Sequence, residues 1–455
     1  MGNISRRAFL RAAGAAGLVA ATGGIDVLTN ATRARAVGPL PPPGQSGIEH
    51  IVVVCMENRS FDHYLGWVPG ATGQQSGLSY LDDSGVAHPT HRLTDTWTGC
   101  GFNDPDHSYD GARTQFDNGA IDGFRRGAND DYALGYYTAA DIPFHAALVK
   151  QFSICDHWFA SFLGPTFPNR MYTHAAGTDR IDNNLPVIQG TSLSTMPTIW
   201  DRLSAAGVSA NYYFSDEPFL ALWGTKYLPI SLPSAAFFAQ AATGTLPSYS
   251  YLDPGFVDEE SGSSYDDHPH SDIRRGEAFL GRVVNALISS PCWSKTVLVI
   301  TYDEWGGFFD TVVPPVLPAD TTTSLTGEPA VFDHNKAGFR VPAYVISPFS
   351  PVGGIDTTQY DHTSILKLVE WRFGLSSLTP RDSAANNPAA MLDFTAPNLN
   401  APLMPLIPDP GPHVCEGGMD LSSPVWPDFG LLPSALAIKQ HCAALGTAIS
   451  VPGAV

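Results

Sequence analysis

Two pairs of oxygen-bearing side chains stand just beyond apolar runs: Glu57 and Asn58 follow the run Ile51 to Val54, and Asp303 and Glu304 follow the run that starts at Thr296. Hard oxygen donors gathered there suit a divalent cation. Neighbouring residues of an extended strand point to opposite sides, so Asp303 and Glu304 can share one ion only if the chain bends, and Gly306-Gly307 supplies the bend. Each pair taken alone is equally the polar loop that follows any strand. A third group is a hydroxyl. In Gly164-Pro165-Thr166-Phe167-Pro168-Asn169-Arg170 a Gly-Pro turn delivers Thr166 to a proline-begun helix, among exposed N–H groups and the positive end of a dipole. That position suits an attacking oxygen and the phosphate it attacks, and it equally suits a capping threonine. Histidines complete the inventory. His268 and His270 sit with three acids in Asp266-Asp267-His268-Pro269-His270-Ser271-Asp272, too concentrated for a random loop, whereas His107 and His362 each read by themselves as solvated turn residues.

These groups need a scaffold. Ile51 to Val54 is β-branched without polar alternation, which predicts a parallel strand covered on both faces. Ligands of such sheets sit at the carboxyl ends of the strands. Further strands are expected at Phe152 to Cys155, Val208 to Phe214 and Val341 to Ile346. They alternate with helices beginning at Pro143 with Asp141 as its cap, at Met196 to Ala206, from a Ser271 cap to Ser290, and from His362 to Phe373 with Gly374 closing it. The alternation predicts an α/β class with a doubly wound, mostly parallel sheet and helices on both faces. Residues 215–265 are aromatic and irregular, and pattern does not order them. Pro397 to Pro412 is expected to wrap, with a short helix near Ser434 to Ala444.

The string Met56-Glu57-Asn58-Arg59-Ser60-Phe61-Asp62-His63-Tyr64-Leu65-Gly66 resembles the opening motif of a bacterial phosphoesterase family, that of secreted phosphatidylcholine-type phospholipases C and certain acid phosphatases, in the alkaline-phosphatase-like superfamily. The Gly-Pro-Thr-x-Pro-Asn-Arg segment, the His268-Pro269 pair and Tyr302-Asp303-Glu304-Trp305-Gly306-Gly307-Phe308-Phe309-Asp310 are similar to later motifs of the same family, the last being the most diagnostic. The resemblance runs from about Ile48 to Gly374 and implies an alkaline-phosphatase-like fold. It further implies a divalent ion held by Glu57, Asn58, Asp303 and Glu304 together with the Thr166 oxygen, and all-oxygen ligation favours Ca²⁺, Mg²⁺ or Mn²⁺ over Zn²⁺. Thr166 takes the nucleophile position. His107, His268, His270 and His362 take positions that orient phosphate and protonate the leaving alkoxide, and Asn169 and Arg170 are in reach to hold phosphoryl oxygens or to cap the helix. The implied activity is phospholipase C hydrolysis of phosphatidylcholine-like lipids, with a non-specific acid phosphatase as the alternative. Tyr109, Trp158 and Trp305 lie beside these motifs and are candidate faces for a choline ammonium.

Composition limits the partners. The 455 residues are 44% hydrophobic and 11% aromatic, enough for one large core. Arg6-Arg7 ahead of a weakly apolar run, with Ala34-Arg35-Ala36 as a small-x-small cleavage site, predicts a signal over residues 1–36, read by the twin-arginine export machinery, and a secreted or cell-envelope protein. Residues 37–455 are then one domain without a transmembrane anchor. The net charge of −19 becomes −23 once residues 1–36 are removed, which argues against nucleic acid and anionic membrane surfaces as partners and leaves zwitterionic lipids and small phosphate esters. Six cysteines occur without a C-x-x-C pair. Cys55 and Cys155 end apolar runs as buried thiols, and Cys415 with Cys442 is the candidate bridge.

Overall fold

The β-branched run forms a strand because nothing in it offers the backbone a competing partner and every side chain can be buried. In the computed structural model, which describes residues 39–179, 184, 193–257, 262, 264–319, 335–415 and 429–445, this is β1 (His50–Met56). Arg6, Arg7 and the Ala34 to Ala36 motif fall outside the described residues. Seven strands join β1: β2 (Ser153–Cys155), β3 (Ala210–Phe214), β4 (Ser231–Pro233), β5 (Tyr249–Leu252), β6 (Thr296–Tyr302), β7 (Ala343–Ile346) and β8 (Ile355–Asp356). Their order across the sheet is β8-β2-β7-β6-β1-β5-β3-β4. All pairings are parallel except those of β7, which runs against both β6 and β2. The sheet is therefore mostly parallel, as the sequence predicts, with one strand reversed.

β1 lies between β5 and β6, and all three are buried along both faces. Covered faces explain why the strands carry no polar alternation. Ile51, Val52, Val53 and Val54 are fully buried, and each such side chain contributes about 1.5–3 kcal/mol of transfer free energy. The register matters more for function. Met56 pairs with Tyr302 and Val54 with Leu252, so the residues that follow, Glu57, Asp303 and Asp253, leave the sheet at one edge.

Ten helices are placed among the described residues: α1 (Phe61–Leu65), α2 (Tyr109–Phe116), α3 (Pro143–Gln151), α4 (Thr166–Ala175), α5 (Ile199–Ala205), α6 (Ser234–Thr243), α7 (Ile273–Ile288), α8 (Thr363–Phe373), α9 (Pro380–Ala384) and α10 (Pro433–Ala444). Gly374 ends α8 in the left-handed conformation, its N–H donating to the Glu370 carbonyl. Two expected caps are corrected. Asp141 does not cap α3; its carboxylate is taken by Arg92 and Thr138, and the N-terminal amides of Phe144 and His145 donate instead to Glu277 Oε1 at 2.8 and 3.3 Å. Ser271 does not cap α7, since its hydroxyl pairs with Ser264; Asp272 Oδ1 accepts from the Arg274 N–H in its place.

The disulfide expectation is also overturned. Cys415 bonds to Cys100, with Cα atoms 5.3 Å apart, while Cys442 remains a buried thiol on α10 whose Sγ donates to the Ser231 carbonyl. Cys442 contacts β4 through Ser231, and the sulfur of Cys415 is already bonded to Cys100. Cys55 and Cys155 are buried thiols as expected.

Candidate active site

β1 and β6 end in register, and the turn after β6 closes on the turn after β1. Asp303 Oδ1 accepts from the Asn58 N–H at 3.2 Å and from the Glu304 N–H at 2.8 Å, which fixes one carboxylate between the two motifs. Gly306 makes the bend possible. Its φ is +65°, and a Cβ there would lie 2.1 Å from the Asn58 carbonyl oxygen. Gly307, at φ +70°, is pressed against Pro105 in the same way. The bend turns Glu304 back so that its Oε2 accepts from the Gly306 N–H at 2.7 Å.

A guanidinium organises this edge. Arg170, on α4, donates from Nε to Glu57 Oε1 and to Asp303 Oδ2, both at 3.1 Å, and from Nη1 to Asp253 Oδ1 at 2.8 Å. Its Nη2 reaches the carbonyls of Cys55 and Met56, and its plane lies over Phe256 at 4.5 Å. Burial disfavours the cation, but the anions around it outweigh that and hold its pKa well above the ordinary value. Thr166 opens the same helix, four residues earlier and on the same face, and is almost wholly buried. Asn169 is engaged locally. Its side chain accepts from the Phe162 N–H and donates to the carbonyls of Phe162, Gly164 and Pro165, so it locks the turn that presents Thr166.

The histidines divide. His107 stands with its Nδ1 2.8 Å from the Pro105 carbonyl, which makes Nδ1 the donor and leaves Nε2 facing Glu304 Oε1 at 3.9 Å. Burial pulls its pKa down, while Glu304 and Asp104 pull it up and prevail, to about 9. His268 packs edge-on to His107 with ring centres 5.4 Å apart, and burial together with His107 holds its pKa well below the usual imidazole range. Asp104, His107 and His268 each offer a ligand atom within 4.8 Å of the others. His270 is turned elsewhere, its Nε2 taken by the Phe102 carbonyl at 2.9 Å. His362 is engaged on both sides. Its Nε2 lies 2.6 Å from the Asp303 carbonyl and its Nδ1 accepts from Trp158, so both nitrogens are engaged and the ring braces Asp303. Burial lowers its pKa to about 4, in keeping with a neutral ring.

Trp158 and Trp305 are fully buried, and the Trp305 Nε1–H donates to Gln115 Oε1 at 2.7 Å, so neither indole can face a choline. Tyr109 is half-buried, and the Arg113 guanidinium already lies 3.1 Å from its ring centre.

The oxygen set fits a divalent cation. Glu57, Asp253 and Asp303 gather around one guanidinium with Glu304 next to Asp303 in the chain, and burial raises the pKa of Asp303 and pushes that of Glu304 to about 8. Glu304 Oε1 and both polar side-chain atoms of Asn58 are buried with no hydrogen-bond partner. Surplus negative charge with orphaned oxygens is what a hard cation relieves. Two participants escaped the sequence reading. Asp253 ends Tyr249–Leu252 just as Asp303 ends β6, a signal that a strand-then-acid search of residues 215–265 would have caught. Asp104 stands three residues before His107, inside the stretch already singled out for its histidine.

A family model described as the Phosphoesterase family matches residues 48–376. Phospholipase C B of Mycobacterium tuberculosis is 33% identical, the alignment covering 89% of this chain and 90% of that protein. Non-specific phospholipase C6 of Arabidopsis thaliana is 32% identical over 79% of this chain and 75% of its own length. Among solved structures, a protein in the alkaline phosphatase superfamily from Vibrio parahaemolyticus overlaps 55% of this chain and 65% of that one at 12% identity, with a TM-score of 0.34.

Proposed function

The chain belongs to the phosphoesterase family and is a phosphoric ester hydrolase, and on that premise we propose that it is a phospholipase C that cleaves phosphatidylcholine-like lipids to diacylglycerol and a phosphorylated head group. One observation carries the reading. Arg170 ties the carboxylates of β1, β5 and β6 together, and Thr166 begins the same helix face one turn earlier, which supports reading its hydroxyl as the group next to an oxygen-rich cation site.

In this reading Glu57, Asn58, Asp303, Glu304 and the Thr166 oxygen hold a divalent ion, Ca²⁺, Mg²⁺ or Mn²⁺, which when bound neutralises phosphoryl charge and favours the alkoxide form of the threonine. Thr166 Oγ1, as its alkoxide, attacks phosphorus in line and the P–O bond to diacylglycerol breaks, leaving the phosphorylated head group ester-linked to the threonine; water then cleaves that ester, releasing the phosphorylated head group and restoring the hydroxyl. The positive end of the α4 dipole lies at Thr166 and favours developing negative charge at the phosphoryl oxygens. His107, through the Nε2 that faces Glu304, gives the proton to the leaving alkoxide. His362 and Gly306 keep Asp303 and Glu304 in place throughout. Export through the twin-arginine route, directed by Arg6 and Arg7, completes the proposal and places the enzyme outside the cytoplasm.

The deciding experiment compares turnover of a phosphocholine diester with turnover of a phosphate monoester by the purified protein. Preference for the diester supports the phospholipase reading; preference for the monoester replaces it with an acid phosphatase on the same scaffold.

A further inference from the structure

Between Phe394 and Pro408 the chain has no charged residue, although the protein as a whole carries −19. This stretch forms no helix or strand and lies along the surface as a strap. Its inward residues recur every third position: Ala401 and Ile407 are half-buried and Met404 is buried, the repeat of an extended proline-rich chain. Asn285 on α7 anchors the middle, exchanging two hydrogen bonds with the Met404 backbone at 2.7 and 3.0 Å. The residues turned outward are leucines interspersed with prolines and Asn400. Leu399, Leu403 and Leu406 are 55%, 64% and 69% exposed.

The strap leads to the edge of the site. Asp409 accepts from the Tyr265 hydroxyl at 2.7 Å, next to the loop that carries His268. Cys415 is then bonded to Cys100, which precedes the loop of Asp104 and His107. Both histidine loops are thus fastened to the strap's end. We propose that residues 399–406 are the surface by which the protein docks on a zwitterionic phospholipid layer, a proposal that rests on the phospholipase reading.

Charge and size choose this occupant. An acidic protein is repelled by anionic surfaces, but an uncharged ridge of exposed leucines can enter the interface of a layer with no net charge, where apolar side chains gain from leaving water. A second copy of the chain fits poorly: eight residues at about 3.1 Å each make a ridge about 25 Å long, on the order of 250 Å² of contact against roughly 800 Å² per partner in a stable complex.

The test is flotation with phosphatidylcholine vesicles, comparing the unaltered protein with a variant carrying Leu399→Asn, Leu403→Asn and Leu406→Asn together. The expected result is at least a ten-fold loss of vesicle-bound protein, with unchanged melting temperature and unchanged turnover of a monomeric, water-soluble phosphocholine diester. Equal flotation of both proteins, or failure of the unaltered protein to float, overturns the proposal. So does self-association without lipid that the substitutions abolish, since the ridge is then a contact between copies. Flotation reads binding without turnover: protein that floats in a leucine-dependent way and leaves the lipid intact supports the docking surface while refuting the phospholipase reading.

Discussion

Arg170 Nη1 donates to Asp253 Oδ1 at 2.8 Å, and neither residue is exposed. Asp253 is itself held by the Tyr212 hydroxyl at 2.5 Å, so the guanidinium that reaches Glu57 and Asp303 is aimed from behind by a third strand. Asp253→Ala leaves a buried cation with one carboxylate fewer, and the cost is about 3–5 kcal/mol. Urea denaturation reads it. An unchanged midpoint would mean that the pair does not support the fold.

Thr166→Ala removes the proposed attacking oxygen from a position that begins a helix and fills little volume. Turnover is expected to fall on the order of 10³-fold or more, with a melting temperature near that of the unaltered protein. Substantial activity in the folded variant would sink the nucleophile assignment.

Asp303→Asn with Glu304→Gln reduces the negative charge at the proposed ion site. The unaltered protein is expected to melt at lower temperature after chelation, because an ion bound only to the folded state stabilises it. The double variant is expected to show no such chelator effect. Identical chelator responses in both proteins would argue against these ligands.

Glu277 accepts the first amides of α3, and burial pushes its pKa up to about 8 from an ordinary 4.5. A carboxyl whose folded pKa is raised contributes its full stability below the unfolded pKa and loses it as pH rises through the folded one, so stability from this group falls between about pH 4.5 and 8. Glu277→Gln keeps the acceptor without the charge. Its melting temperature is expected to decline less over that range, leaving it more stable at pH 8 by about 1–3 kcal/mol. Parallel pH profiles for the two proteins would refute the assignment.

The Cys100–Cys415 bond spans 315 residues of sequence. Replacing both by Ser is expected to cost about 2–4 kcal/mol, whereas Cys442→Ser changes no crosslink. Peptide mapping without reductant checks the pairing, and a Cys415–Cys442 peptide would contradict it.

What the sequence determined by itself was local and periodic. Ile51–Val54 and the run from Thr296 could only be buried strands, because β-branched chains without polar alternation leave no solvent face, and acids directly after such strands must emerge at their carboxyl ends. Gly306-Gly307 announced its bend because only glycine tolerates that backbone against Asn58. The tertiary structure decided which distant groups meet. Arg170 and Asp253 are 83 residues apart, and nothing local to either names the other. The same holds for Glu277 at the start of α3 and for Cys100 as the partner of Cys415. His362 shows the limit best: its place before a helix is legible, but its task depends on Trp158 and the Asp303 carbonyl, from two other parts of the chain. A side chain's chemistry follows from its free atoms, and which atoms remain free is known only when the whole chain has closed around them.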